Sequence, residues 1–141
     1  MPMRLIEIAP RGPGLYDFTS EARQALRALR ATDGLLTLFV RHTSCSLIIQ
    51  ENADPAVQDD LLAFFKRLVP PSDDPAQSWM THTNEGPDDM PAHIKAALTQ
   101  TSIGVPVAGG EMMLGVWQGL YLFEHRARPR PREIVLQFLE G

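Results

Sequence analysis

The four histidines are the clearest candidates for catalytic or metal-binding residues in the chain. Three of them stand beside acids or hydroxyl groups at the expected ends of helices and strands. His42 opens a stretch of hydroxyl residues, His82 precedes a run of acids, and His93 falls in the first turn of an expected helix. Neutral imidazole is a common protein ligand for zinc, and three protein ligands with one water make a catalytic zinc site. The spacings match no local signature such as His-Glu-x-x-His, so the fold would have to assemble such a site. Surface histidines, or histidines hydrogen-bonded in the core, are the alternative interpretation.

Asp88 and Asp89 form an acidic pair just before a short helix that we expect over residues 91–98. In a functional site, such a pair could orient a ligand histidine or coordinate Mg²⁺ alongside a phosphate. The pair could equally cap the helix and interact with its dipole. Both interpretations stay open at the level of the sequence.

The strand expected over residues 117–125 places three polar side chains on one face. Because alternate residues of a strand point to opposite faces, Gln118, Glu124 and Arg126 fall on the same side. They could look into one shared polar site, in which the Arg126 guanidinium would bind a phosphate or carboxylate in a bidentate manner. The alternative is an edge strand on which Glu124 and Arg126 pair in solvent.

Apolar and alternating patterns predict the elements that must position these residues. Thr19 is predicted to cap a first helix, and a second helix should begin at Asp54-Pro55, where a capping acid precedes a proline at the first helical position. Strands are predicted at residues 3–9, 35–40, 46–50, 102–108, 111–116, 117–125 and 133–139. Together with the helix over residues 91–98, they predict one strand-dominated α+β domain spanning residues 1–141.

Three segments carry further expectations. The strand over residues 35–40 is rich in β-branched and aromatic residues, which predicts burial on both faces. The long loop over residues 70–89 is of a length that is usually functional or disordered. The second helix should bury an apolar stripe made of Val57, Leu61, Phe64, Phe65 and Leu68.

Composition excludes several classes of protein. Of the 141 residues, 44% are hydrophobic and 21% are charged, which is typical of a globular chain rather than a disordered one. The net charge of −4 argues against a nucleic-acid groove or a surface for anionic membranes. No stretch approaches the roughly 20 apolar residues of a membrane span, and the N-terminal segment is unlike a signal peptide. The single cysteine, Cys45, excludes an internal disulfide and fits a reducing compartment, so we expect a cytoplasmic protein.

Three blocks of sequence stand out when the candidate residues are taken together. The first is His-Thr-Ser-Cys-Ser-Leu at residues 42–47, with Glu51 and Asn52 shortly after it. The second is Glu-Gly-Pro-Asp-Asp-Met-Pro-Ala-His-Ile-Lys at residues 85–95. The third is Gly-Val-Trp-Gln-Gly-Leu-Tyr at residues 115–121, followed by Glu-His-Arg at residues 124–126. In this order, and over nearly the whole chain, the blocks resemble the YjbQ-like family, from which Cys45 and Val116 depart in place of the more usual Ala and Thr.

The resemblance implies an α+β fold built on a β-sandwich of mixed sheets with about three helices, assembled as a homotrimer. The family has been linked to a weak, secondary thiamine-phosphate synthase activity. Its histidines line a cavity able to hold a metal ion, and by position these are His42, His82 and His93. The implied cofactor is a divalent metal, with zinc favoured and magnesium as the alternative. His125 is a weaker candidate, because aromatic residues share its strand face.

Three functions are compatible with these residues. The first is a transferase that joins a pyrimidine diphosphate to a thiazole phosphate and releases pyrophosphate. Its substrate or anionic groups would be bound by Thr43, Ser44, Asn52, Asp89, Gln118, Glu124 and Arg126. The second is a metal-dependent hydrolase of a small phosphorylated or amide substrate, with Glu51 or Asp88 as general base. The third is a non-catalytic trimer that binds a small anionic ligand.

Overall fold

Two β-sheets and three α-helices form residues 3–141, the part of the chain that this computed structural model describes. The helices are α1 (Thr19–Ala28), α2 (Pro55–Leu68) and α3 (Asp89–Leu98), and a single 3-10 turn covers Pro75–Gln77. The strands, in chain order, are β1 (Met3–Ile8), β2 (Gly14–Asp17), β3 (Gly34–Val40), β4 (Cys45–Glu51), β5 (Ser102–Ala108), β6 (Glu111–Met112), β7 (Gln118–Glu124) and β8 (Arg132–Glu140). The predicted α+β class and its three helices are confirmed.

The strands form a five-stranded sheet with the order β1-β8-β3-β5-β6 and a three-stranded sheet with the order β2-β7-β4. Every strand pairing within residues 3–141 is antiparallel, so the sheets are not the mixed ones that the resemblance implied. β2 was not predicted, because its four residues are too few to show a clear alternation and they follow a segment rich in Pro and Gly. β6 is shorter than the predicted strand over residues 111–116.

The main core lies between the two sheets. Leu36 and Leu38 of β3 meet Leu120 and Leu122 of β7 there, and all four side chains are fully buried. The prediction that β3 is buried on both faces is wrong, because its other face carries Leu35 and Phe39, which are 42% and 45% exposed. Among residues 3–141, the five-stranded sheet is therefore covered on one side only. A hydrophobic composition alone does not distinguish such a strand from one that is covered on both sides.

The helix starts follow local chemistry. α2 begins as predicted, with Asp54 accepting a hydrogen bond from the Ala56 amide at 2.9 Å. α1 begins at Thr19, but Thr19 is not its cap: the Asp17 carboxylate accepts hydrogen bonds from the amide and hydroxyl of Thr19.

α2 lies against the outer face of the three-stranded sheet, where Phe65 meets Phe123 edge-on with ring centroids 5.2 Å apart. The predicted buried stripe is wrong, since no α2 residue is fully buried and Phe64 is 57% exposed. Phe65 packs on the sheet, but an open cavity lined by Leu62 and Lys66 lies beside it beneath the helix.

A buried ion pair joins the two sheets. The Arg132 guanidinium of β8 donates to both carboxylate oxygens of Glu124 in β7, at 2.7 Å from Nε and 2.6 Å from Nη2. Nη2 also donates to the Ser44 hydroxyl at 2.9 Å. The Glu124 and Arg132 side chains are only 0% and 6% exposed, and the amides of His125 and Arg126 donate to the same carboxylate. Two charges removed from water in this way require all of these bonds.

His125 is a buried titratable group next to this ion pair. Its ring is tilted by 59° against the ring of Phe123, with centroids 4.4 Å apart, and its Nε2 lies 3.0 Å from the Ser46 hydroxyl oxygen. Burial, together with the positive charges of Lys95 and Arg132, lowers the pKa of His125 to about 3. His125 is therefore neutral in the folded protein at any physiological pH.

This neutral histidine should make the fold sensitive to acid. Below pH 6.5 the unfolded chain takes up a proton at His125 that the folded chain does not bind until about pH 3. The free energy of unfolding should therefore fall as the pH drops from 6.5 towards 3, by up to about 1.4 kcal/mol per pH unit from this group. Urea unfolding of the wild type and His125→Gln at pH 7, 6, 5 and 4 checks this. The variant should lose less stability over this range, and identical slopes for the two proteins would exclude the effect.

Candidate metal site

The loop before α3 and the first turns of α3 bring two histidines and a carboxylate together. Asp89 and His93 are four residues apart on α3, which places both side chains on one face of the helix. His82 reaches them from the long loop. The Asp89 Oδ2 atom lies 2.7 Å from His82 Nε2 and 3.1 Å from His93 Nε2. These three atoms all lie within 4.8 Å of one another, so His82, Asp89 and His93 form a cluster that could hold a metal ion.

Asp89 is fixed from both sides. Its side chain is only 2% exposed, and its Oδ1 atom accepts a hydrogen bond of 2.6 Å from Arg126 Nη1. Burial alone would raise the pKa of Asp89, but the hydrogen bond from His82 and the positive charge of Arg126 help to bring this pKa below its usual value. Asp89 is therefore an anion, and its Oδ2 atom is aimed at the two imidazoles.

The hydrogen bond from His93 to the backbone defines which ring nitrogen carries a proton. His93 Nδ1 lies 2.8 Å from the Thr43 carbonyl oxygen, and a carbonyl can only accept. Nδ1 must therefore be the donor, and Nε2 of a neutral ring then presents a lone pair to the anionic Asp89 oxygen. Two acceptors face each other at 3.1 Å unless the ring is protonated or a cation lies between them. A backbone carbonyl on the remote nitrogen is also the usual support of a metal-binding histidine.

Arg126 holds the acidic pair in place. Its Nε donates to Asp88 Oδ2 at 3.0 Å, its Nη1 donates to Asp89, and its Nη2 donates to the Glu85 carbonyl at 3.1 Å. Asp88 Oδ2 also accepts from the Ala127 amide at 2.8 Å, and its side chain makes no capping bond to α3. Burial would raise the pKa of Asp88, but these bonds lower it overall. Arg126 therefore acts first as a positioning residue for Asp88 and Asp89 rather than as a free anion clamp.

His42 lies outside the cluster. Its Nε2 accepts a hydrogen bond of 2.9 Å from the Glu133 amide, so this nitrogen has no lone pair left for a metal. Burial, followed by the charge of Arg132, lowers the pKa of His42, which keeps the ring neutral. Of the three histidines expected as ligands, the structure brings His82 and His93 together, and Asp89 completes the group.

Three other expected site residues lie at the far end of the three-stranded sheet. Glu51 pairs with Gln118 across β4 and β7, whereas Cys45 pairs with Glu124 at the end nearer to the cluster. Six residue steps along β4 correspond to about 20 Å, so Gln118 and Glu124 share a face but not a site. Glu51 accepts hydrogen bonds from the amides at positions 53 and 54, and Asn52 Nδ2 donates to two carbonyl oxygens at 3.4 Å. Gln118 Oε1 accepts from the amide at position 115.

The remaining expected residues have structural partners. Ser44 and Glu124 belong to the buried ion pair with Arg132. The carbonyl oxygen of Thr43 accepts a hydrogen bond from His93.

Glu85 is a residue near the cluster that the sequence did not predict for the site. Its Oε2 lies 3.7 Å from His82 Nε2, and its side chain is 61% exposed. The helical spacing of Asp89 and His93 was the signal that could have identified Asp89 as a ligand.

Sequence comparisons match this chain to one protein family over nearly its whole length. The family model described as UPF0047 protein YjbQ-like matches residues 4–141. A UPF0047 protein of Synechocystis is 48% identical over 132 residues, which cover 94% of this chain and 87% of that protein. The UPF0047 protein YjbQ of Salmonella typhimurium is 40% identical over 133 residues, covering 94% and 93% of the two chains.

Solved structures share the fold. A hypothetical protein of Aeropyrum pernix superposes with a TM-score of 0.86 at 25% identity and full coverage of both chains. A conserved hypothetical protein of Thermus thermophilus gives a TM-score of 0.82 at 32% identity, covering 96% of this chain and 99% of that one. Within residues 3–141, no helix has both the length and the apolar character needed to cross a membrane.

Proposed function

The chain belongs to the UPF0047 family of YjbQ-like proteins, and from this membership and the cluster of His82, Asp89 and His93 we propose that it is a metal-dependent enzyme acting on a small phosphorylated substrate. The observation that carries the proposal is that Asp89 Oδ2 lies within 3.1 Å of the Nε2 atoms of His82 and His93. If the His93 ring is neutral, its Nε2 must present a lone pair there, because its Nδ1 is the donor to Thr43. Two imidazoles and one carboxylate are a donor set that suits Zn²⁺.

A divalent ion at this cluster would supply Lewis-acid stabilisation of a phosphoryl or carbonyl oxygen and would make water a better nucleophile. The ligand side chains are partly open: His82 is 39% exposed and His93 is 31% exposed, whereas Asp89 is buried. A small substrate can therefore approach the cluster from the side of the two imidazoles. Arg126 and the Thr43 carbonyl hold Asp89 and His93 in their orientations during this approach.

Hydrolysis is the reaction that the geometry supports best. The Glu85 carboxylate lies 3.7 Å from His82 Nε2, where it can accept a proton from a water molecule that attacks the substrate. Asp88, one of the two bases expected from the sequence, is already bonded to Arg126 and Ala127, and Glu51 lies at the other end of the sheet. Glu85 is therefore the base that we assign to this reaction.

Transfer with loss of pyrophosphate, as in the thiamine-phosphate synthase activity linked to the family, is the second candidate. It is supported by the same cluster, because departing pyrophosphate also needs a divalent cation or an arginine clamp. Three of the five N–H groups of Arg126 donate to protein acceptors, and two remain for a ligand. Its contribution to such a clamp would therefore be partial.

A homotrimer and a cytoplasmic location are part of the same proposal. The open face of the five-stranded sheet supports self-association, because Leu5, Leu35, Phe39 and Leu139 are each between 42% and 55% exposed on it. The single cysteine supports a reducing compartment.

The test compares Glu85→Gln with the wild type after zinc loading, using p-nitrophenyl phosphate and p-nitroacetanilide as phosphate and amide probes. We expect wild-type hydrolysis of the phosphate probe and a loss of about 100-fold in the variant, which is typical of removing a general base. Zinc content should be unchanged, because Glu85 is not one of the three ligands.

Glu111→Gln is the matched control, since Glu111 is exposed on β6, the edge strand of the five-stranded sheet, and is not one of the cluster residues. It should hydrolyse the probe at the wild-type rate. Zinc-loaded protein that is inactive on both probes but releases pyrophosphate from a pyrimidine diphosphate and a thiazole phosphate would favour the transfer reaction instead. Inactivity in all three assays would contradict the proposal.

A further inference from the structure

A second concave site lies beneath α2, next to the start of α3 and the end of β7. It is a cavity of about 410 Å³, within the size range of pockets for small molecules. Its walls are largely apolar, and Phe65 and Phe123 provide two aromatic surfaces. Leu62, Val69 and Pro91 complete the apolar lining.

Both lysines of the chain, Lys66 and Lys95, line this one cavity. Within residues 3–141, neither ammonium group forms an ion pair: no carboxylate oxygen lies within 4 Å of it. The two ammonium groups therefore line one largely apolar cavity without a carboxylate partner in the described chain, an arrangement that a bound anion would complete.

The acids of the cavity wall do not supply that anion. Asp88 is bonded to Arg126 and to the Ala127 amide, and Glu124 is bonded to Arg132. His125, which is 3% exposed, also lines the cavity, and its Nε2 is held by Ser46. Its Nδ1 has no hydrogen-bond partner within residues 3–141, so this ring nitrogen can take a polar partner.

This cavity is separate from the metal cluster. Lys95 follows His93 by two residues on α3, which corresponds to about 200° around the helix axis. The metal ligands and Lys95 therefore lie on different sides of α3. Asp88 and Arg126 stand between the two sites, because Asp88 lines the cavity and Arg126 bridges it to Asp89.

We propose that the cavity binds a small organic phosphate, with an apolar ring against Phe65 and Phe123 and the phosphate between Lys66 and Lys95. A phosphate monoester carries close to two negative charges at neutral pH, which matches two ammonium groups better than a single carboxylate does. His125 Nδ1 offers the ligand one further polar contact. The assignment does not depend on the proposed reaction, since it uses none of the metal ligands.

The test is calorimetric titration of the full chain with 1-naphthyl phosphate in the presence of a chelator, so that metal plays no part. We expect 1-naphthyl phosphate to bind at least about tenfold more tightly than the neutral 1-naphthol, because hydrogen bonds to charged groups are worth that much or more. Lys95→Met should weaken the binding of 1-naphthyl phosphate by about tenfold or more.

Arg67→Met is the matched control, because it removes the same charge from α2 beside Lys66 but Arg67 does not line the cavity. It should bind 1-naphthyl phosphate like the wild type, and circular dichroism should show that both variants fold. Lys66→Met serves as a second variant if Lys95→Met does not fold. Equal binding of 1-naphthol and 1-naphthyl phosphate would overturn the proposal, as would equal losses in Lys95→Met and Arg67→Met. Tighter binding of 1-naphthoate than of 1-naphthyl phosphate would overturn the assignment of a phosphate.

Discussion

Replacing Arg132 with methionine should lower the free energy of unfolding by about 3–5 kcal/mol, the usual cost of leaving a buried charge without its partner. The variant removes the guanidinium that binds both oxygens of Glu124, a side chain with no exposed surface. It also removes the donor to the Ser44 hydroxyl. Because small domains are stable by only about 5–15 kcal/mol, this single change should consume much of the stability. Urea unfolding at pH 7 measures the difference.

Two further variants separate the charge effect from a packing effect. Combining Arg132→Met with Glu124→Leu replaces both charges by apolar groups, and this double variant should be clearly more stable than the single one. Arg128→Met, in the exposed segment before β8, should change the stability by no more than about 0.5 kcal/mol. A double variant that is no more stable than Arg132→Met would show that packing, and not the unpaired charge, causes the loss.

Replacing Asp89 with asparagine should weaken zinc binding by about 100-fold or more, because it removes the only anionic ligand of the cluster and loss even of a supporting residue costs 10–100-fold. The amide keeps the shape of the side chain, so the fold should survive. Elemental analysis of untagged protein purified without chelator should find close to one zinc per wild-type chain and much less in the variant. Calorimetric titration with zinc gives the affinities.

Asp88→Asn is the control for this experiment. Asp88 is the neighbouring acid, shares Arg126 with Asp89 and has a lowered pKa, but it is not one of the three ligands. It should retain zinc with a much smaller loss of affinity than Asp89→Asn. Equal losses in the two variants would mean that negative charge in general, rather than ligation by Asp89, attracts the ion. A wild type that binds neither zinc nor magnesium would remove the metal site altogether.

Local sequence signals predicted those parts of the fold that depend on neighbours in sequence. The start of α2 at Asp54-Pro55 is one example, because the cap and the proline act on the first helical turn only. The predictions about burial failed where the answer depends on what another element covers. One face of β3 is open because nothing in the described chain lies on it, and α2 contacts the sheet through Phe65 while a cavity lies beneath its other side chains.

In the candidate site too, residue types could be predicted from the sequence, whereas contacts between distant segments could not. His82 and His93 were selected for their chemistry, and the structure brings them together. His42 is the same residue type in an equally polar setting, but the backbone amide of Glu133 occupies its Nε2. That contact joins positions 91 residues apart and leaves no trace in local spacing. The separation of Gln118 from Glu124 has a simpler cause, since alternation reports the face of a strand but not the distance along it.

The acceptor that orients His93 is the main-chain oxygen of Thr43, and every amino acid supplies that oxygen. Mutations at position 43 therefore leave the orientation of His93 intact as long as the backbone keeps its path. At positions 89, 93 and 126 the bonding atoms belong to side chains, and most mutations there remove them. During evolution, the amino acid at position 43 can therefore change while selection keeps the residues at positions 89, 93 and 126. The geometry of the site would survive such changes in the sequence around it.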